Sequence, residues 1–98
     1  RASELFHEKR YEEAASLLRE AIPTLDGLWL GRALSLLGDC LYRQPLQSFF
    51  DLEQCQKRHE EALNLLNQAY DILRAQGATK EAAYCISLIK SIKDDLKS

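Results

Sequence analysis

Lys9-Arg10-Tyr11-Glu12-Glu13-Ala14-Ala15-Ser16-Leu17-Leu18-Arg19-Glu20-Ala21 returns as Lys57-Arg58-His59-Glu60-Glu61-Ala62-Leu63-Asn64-Leu65-Leu66-Asn67-Gln68-Ala69. Lys, Arg, both Glu, the first Ala, the Leu-Leu pair and the last Ala recur at one offset, 48 residues, as from Tyr11 to His59. An internal repeat in so short a chain is the signature of stacked helical units, each of which buries its apolar face on its neighbour. The predicted fold class is therefore all-α, with antiparallel helical hairpins and four to five helices. Repeats of this kind present surfaces, so the expectation is a binding scaffold and not a catalyst.

Working outward from the repeat, Tyr11, Ala14, Ala15, Leu17, Leu18, Ala21 and Ile22 recur at helical spacing until Pro23 stops the run. Before it, Leu5 and Phe6 read as the last turns of an incoming helix that ends at His7-Glu8-Lys9-Arg10. After it, Pro23 to Gly27 is a connection. A further helix is predicted from about Leu28 to Arg43, on the stripe Leu30, Ala33, Leu34, Leu37 and Leu41, with Pro45 barring continuation. Gly31 and Gly38 lie inside it. Each costs about 1 kcal/mol relative to Ala in a helix, so close packing of a partner helix is the expected reason for at least one of them.

The second copy sits in a longer helix. Ser48-Phe49-Phe50-Asp51 has the form of a capping box, and Leu52, Cys55, His59, Ala62, Leu66, Ala69 and Leu73 then step by three and four as one apolar seam. The spacing predicts one helix from about Phe49 to Gln76, closed by Gly77, about 40 Å long at 1.5 Å per residue. Thr79 is placed as the cap of a last helix whose buried stripe is Ala82, Cys85, Ile86, Ile89, Ile92 and Leu96.

Composition limits the function. The chain has 98 residues, 46% hydrophobic and 29% charged, with a formal charge of −2. That is one domain with a single core, predicted to be a piece of a longer protein because it opens at Arg1 and contains no Met. A near-neutral balance gives no basic footprint for nucleic acid. No apolar run reaches the roughly 20 residues that span a bilayer, and no leader pattern opens the chain. Three cysteines without close pairing fit reduced thiols, hence a cytoplasmic or nuclear setting.

At the repeated segments the chain resembles the tetratricopeptide repeat family, whose units are antiparallel helix pairs with small and large residues at set places. Ala14, Leu18 and Ala21, and again Ala62, Leu66 and Ala69, sit where the second helix of a unit has Ala, a large apolar residue and Ala. Tyr11 takes the family's turn tyrosine, and His59 stands there in the second copy. Leu34, Leu37-Gly38 and Leu41 follow the spacing of the first helix, with Leu in place of both aromatics. The offset of 48 departs from the family period of 34, and the excess falls between Arg43 and Gln56.

The resemblance implies a concave face made by Arg32, Ser35, Leu36, Asp39, Tyr42 and Arg43. These, with Phe49 and Phe50, are the candidate partner-binding residues. One of the two phenylalanines is expected in the core and the other on an exposed apolar patch, as a lid or as a partner's anchor. Members that clamp a chaperone's C-terminal carboxylate use Asn and Lys where this chain has Leu36 and Asp39, so that ligand is not expected. Trp29 and Tyr42 are otherwise expected in the core.

Chemistry finds little support in the sequence. Cys55 and His59, four apart on one helical face, have the spacing of two zinc ligands, but no second pair exists and both lie on the apolar seam, so they are read as core. Cys40, Cys85 and His7 are scattered, phosphate-loop and hydrolase motifs are absent, and adjacent glutamates on a helix point about 100° apart. No cofactor, no metal and no catalytic residue are predicted. The expected function is a protein interaction scaffold for a peptide, a partner helix or a second copy of the chain. The alternatives are a microtubule-interacting-and-trafficking type bundle, which shares the Ala-rich helix after such a turn, and a metal- or thiol-dependent enzyme.

Overall fold

The computed structural model of the chain describes residues 2–43 and 52–97, with side chains over 4–43 and 56–96. Five α-helices follow one another: α1 (Ala2–His7), α2 (Tyr11–Ala21), α3 (Gly27–Arg43), α4 (Leu52–Ala75) and α5 (Thr79–Lys97), with a 3-10 turn at Ile22–Thr24. The fold is all-α. The predicted capping box at Ser48 to Asp51, and Phe49 and Phe50 within it, lie outside the described residues, as does the Cys55 side chain. What is described of the long helix agrees with its predicted span to within a residue at its C-terminal end.

The helices stop where their backbones demand it. α4 closes on Gly77 at φ +78°, with Ala78 N–H bonded to Leu73 C=O at 2.9 Å and Gly77 N–H to Arg74 C=O at 3.1 Å. This pair of bonds satisfies carbonyls left over at the helix end and needs a left-handed residue, which Gly supplies without a Cβ clash. α1 ends on the same pattern: Arg10 N–H reaches Leu5 C=O at 2.8 Å and Lys9 N–H reaches Phe6 C=O at 3.0 Å. There the left-handed residue is Lys9, at φ 63°. Thr79 proves to be the first residue of α5 and not its cap; Ala78 precedes it and accepts the first backbone bond, from Ala82.

One core threads all five helices, from Leu5 through Ala14, Ala15 and Leu18 to the stripes of α3, α4 and α5. Ala62, Leu66, Ala69 and Leu73 of the repeated seam are all wholly buried. The first copy keeps the same phase: Ala14 and Leu18 are buried, while Ala21 is half-buried. α3 and α4 are packed tightly because of two glycines. A Cβ on Gly38 would stand 2.8 Å from Leu66 Cγ and 3.3 Å from the Ala62 carbonyl, and one on Gly31 would stand 2.9 Å from Ile72 Cγ2. Position 31 meets 72 and position 38 meets 62 and 66, so the two helices run antiparallel. α5 runs the other way. It meets α3 at Arg32 to Glu81, Ser35 to Cys85 and Tyr42 to Asp95, and so lies parallel to it.

Two expected core residues are outside the core. Trp29, in the first turn of α3, is 65% exposed, its ring covered by Arg32 with the guanidinium 5.2 Å from the centroid. Ile86 is 47% exposed, and Leu88 is buried instead. At about 100° per residue, Ile86 and Leu88 lie about equally far, roughly 80°, on opposite sides of the middle of the stripe formed by Ala82, Cys85, Ile89 and Ile92, so the helices packed around α5 decide which of the two is buried. Apolar identity alone had placed Ile86 inward.

Candidate functional site

The parallel pairing of α3 and α5 leaves a groove between them of about 370 Å³. Its apolar floor is Leu36 with Leu73 of α4 beneath, and its walls carry Arg32, Ser35 and Asp39 from α3 and Lys80, Glu81 and Tyr84 from α5. Four of the predicted residues, Arg32, Ser35, Leu36 and Asp39, are thus brought together. They share a face because they recur at three and four along α3.

Two of the wall charges, Arg32 and Glu81, are paired across the groove. Arg32 Nε donates to both Glu81 oxygens, at 2.9 and 3.1 Å. Asp39 is 2% exposed, and each of its oxygens is taken: Arg43 Nε donates to Oδ1 at 2.6 Å and the Tyr84 hydroxyl donates to Oδ2 at 2.7 Å. The carboxylate therefore sits inside a cage and is not an open acidic group on the concave face. Its bond and charge hold the Arg43 guanidinium above its ordinary range. Burial first, then the bond to Asp39, pushes the Tyr84 phenol up.

Two predicted residues do not line the groove. Tyr42 turns to the far end of the helices, where its hydroxyl donates to Asp95 Oδ2 at 2.6 Å and its ring lies 5.4 Å from that of His59. This bond, ahead of burial, raises its pKa to about 12. Half-buried, Tyr42 is a clamp between three helices and neither full core nor groove wall. Arg43 serves the groove from its rim, locking Asp39 while its guanidinium lies 5.6 Å from the Phe6 ring centroid. Lys80, Glu81 and Tyr84 were not foreseen, since no local pattern in α5 tells which α3 residues it will face.

A second cavity of about 650 Å³ opens between α2 and α4. Its walls are charged, with Glu12, Arg19, Glu20, Arg58 and Glu61, and Arg19 already bridges to Glu61 at 3.2 Å. This larger opening has Ala15 and Leu41 in its lining but is walled mostly by charged side chains, so a partner there would desolvate more charge than in the α3–α5 groove.

The two described thiols, Cys40 and Cys85, are buried. Burial, helped by the neighbouring Asp39 charge, pushes Cys40 up to about 12, and burial also raises Cys85, which lies 3.4 Å from the Ser35 hydroxyl. Such thiols hold their protons at neutral pH. Among the described residues no cluster of three or more His, Cys, Asp and Glu side chains is arranged to hold a metal ion. Nor is any helix among them long and apolar enough to cross a membrane. Comparison of the chain with protein-family models, with curated proteins and with solved structures gives no match.

Proposed function

We propose that the chain is a tetratricopeptide-like protein interaction scaffold that seats a partner segment in the groove between α3 and α5. The observation that carries this is the meeting, on one apolar floor, of Arg32, Ser35, Leu36 and Asp39 with Lys80, Glu81 and Tyr84. The repeated segment supports the kinship: both copies bury their small and large residues in the same phase, and Gly38 brings α3 against Ala62 and Leu66 as paired helices of such units require. The protein acts by binding and not by catalysis, and its setting is cytoplasmic or nuclear. The chaperone-tail carboxylate remains an unsuited ligand, since Leu36 has no amide to offer and Asp39 is locked to Arg43 and Tyr84.

Panning a random peptide display library on the protein and on Leu36→Glu tests this. Leu36 is only half-buried, so the variant keeps the core, which circular dichroism checks. Peptides retained by the protein and lost on Leu36→Glu support the groove. Equal retention by both moves the contact elsewhere.

A further inference from the structure

Given the α3–α5 groove as the partner surface, on which this step rests, we infer that its occupant is an extended segment with an apolar side chain and, beside it, an internal Asp or Glu side chain received by Lys80 and Arg32. The charges around the groove do not cancel. Arg32 is bridged to Glu81 and Asp39 to Arg43, whereas Lys80 lines the same groove with no ion pair among the described residues. One cation is left over, and it is exposed, so it can meet a ligand without giving up a bond. Arg32 can share in the contact because Glu81 takes it through Nε, at 2.9 and 3.1 Å, leaving the terminal amines of the guanidinium unspent on that pair. The guanidinium is also held in place, by Glu81 and by the Trp29 ring, whose centroid lies 5.2 Å away. A second carboxylate therefore adds to Arg32 without displacing Glu81, and charge-assisted bonds of this kind are the stronger ones. A basic side chain meets the reverse: Glu81 and Asp39 already accept bonds at both oxygens, and Lys80 would stand beside the newcomer. The chain as a whole carries a formal charge of −2, so a preference for carboxylate comes from this site and not from the overall field.

The position of the two cations makes that carboxylate a side chain and not a chain end. Arg32, Lys80 and Glu81 line the groove of about 370 Å³ and also a neighbouring hollow of about 330 Å³ walled by Gly77, Ala78 and Thr79. They stand where the two openings join, and beside Gly77 an added Cβ would meet nothing within 4 Å. A segment whose apolar side chain covers Leu36 and Leu73 thus passes Lys80 and Arg32 and runs on into the second hollow, with its carboxylate at the middle. A terminal carboxylate at the same place would leave that hollow unfilled.

The test uses peptides retained from the display library on the intact chain, with affinities read by fluorescence anisotropy. Each is synthesised as selected, with its acidic residues changed to the matching amides, and with its C-terminus amidated. The expected peptides carry Asp or Glu within a few residues of an apolar anchor. The amide swap is expected to weaken binding about threefold or more, as is raising salt from about 50 to 500 mM, while C-terminal amidation changes nothing. Lys80→Glu, checked for helicity by circular dichroism, is expected to weaken the selected peptides about tenfold and to remove most of the cost of the amide swap. Selected peptides that are uncharged or basic, or that bind Lys80→Glu as tightly as the unaltered chain while losing Leu36→Glu, overturn the inference and leave the groove standing. Loss on C-terminal amidation overturns it in favour of a chain-end ligand. Retention that survives Leu36→Glu is a different failure: the groove is then not the partner surface, and the inference falls with it.

Discussion

Asp39 shows what a single residue decides here. Its carboxylate is almost wholly buried, but its two partners, Arg43 and Tyr84, are nearly half exposed. Removing them is therefore asymmetric. Arg43→Ala strands a buried charge on one hydroxyl and is expected to destabilise by about 1 to 3 kcal/mol, less than a fully buried pair because water reaches the site. Asp39→Asn leaves no buried charge, and the freed guanidinium can hydrate, so a cost of about 1 kcal/mol is expected. Urea melts of the two variants check the order, and a larger loss for Asp39→Asn would contradict it. At Lys9, a side chain is held in a left-handed conformation that costs about 1 to 2 kcal/mol for an L-residue. Lys9→Gly should raise stability by up to that amount, less Gly's greater chain entropy. Tyr42 and Cys40 contribute to the loss of stability at alkaline pH, as do Tyr84 and Cys85, whose pKa values are also raised. The first two titrate at about 12 in the folded chain, against ordinary values of 10.0 and 9.0, so the unfolded chain releases these protons first. Their contribution is complete below the unfolded values and is lost as pH rises towards 12. The expected outcome is a Tm that falls from about pH 9 to 11, less steeply in Tyr42→Phe, as thermal melts across that range would show.

Between elements, the α3–α4 contact is fixed by Gly38 and Gly31, and the two are not equivalent. A methyl at 38 meets Leu66 Cγ and the rigid Ala62 carbonyl, whereas one at 31 meets side-chain atoms alone, Ile72 Cγ2 at 2.9 Å and Leu73 Cγ and Cδ2 at 3.1 Å. Gly38→Ala is expected to cost about 1 to 2 kcal/mol net, the overpacking exceeding the gain in helix propensity, and Gly31→Ala less, because no backbone stands in its way. Equal melting temperatures for the two would contradict this packing. The contact was legible in the sequence, since a glycine inside an apolar helical stripe has few explanations and the small residues at Ala62 and Ala69 mark the facing surface. Helix spans were legible for the same reason: Pro23 and Gly77 punctuate the periodic runs. The phase of α5 was not. Ile86 and Leu88 are equally apolar, and only the position of α4 and α3 around the helix decides which one turns inward.

Across the whole molecule, which measures 40 × 27 × 21 Å, half of the candidate site was readable in advance and half was not. Arg32, Ser35, Leu36 and Asp39 come from the tetratricopeptide resemblance, which implies a concave face at these positions. Lys80, Glu81 and Tyr84 enter only through the parallel docking of α5, a contact nearly 50 residues away in sequence, as from Arg32 to Glu81. The same docking withdraws Tyr42 to Asp95. The openings among the described residues include an apolar-floored one between α3 and α5 and a charged one between α2 and α4, and the account assigns the partner to the first. The direct measurement is amide chemical-shift mapping of the isotopically labelled chain titrated with a display-selected peptide. Shifts concentrated in Arg32 to Asp39 and Lys80 to Tyr84, with Glu12 to Glu20 and Arg58 to Glu61 unmoved, are the predicted result. Shifts concentrated on Glu12 to Glu20 and Arg58 to Glu61, with the α3–α5 groove silent, would contradict it.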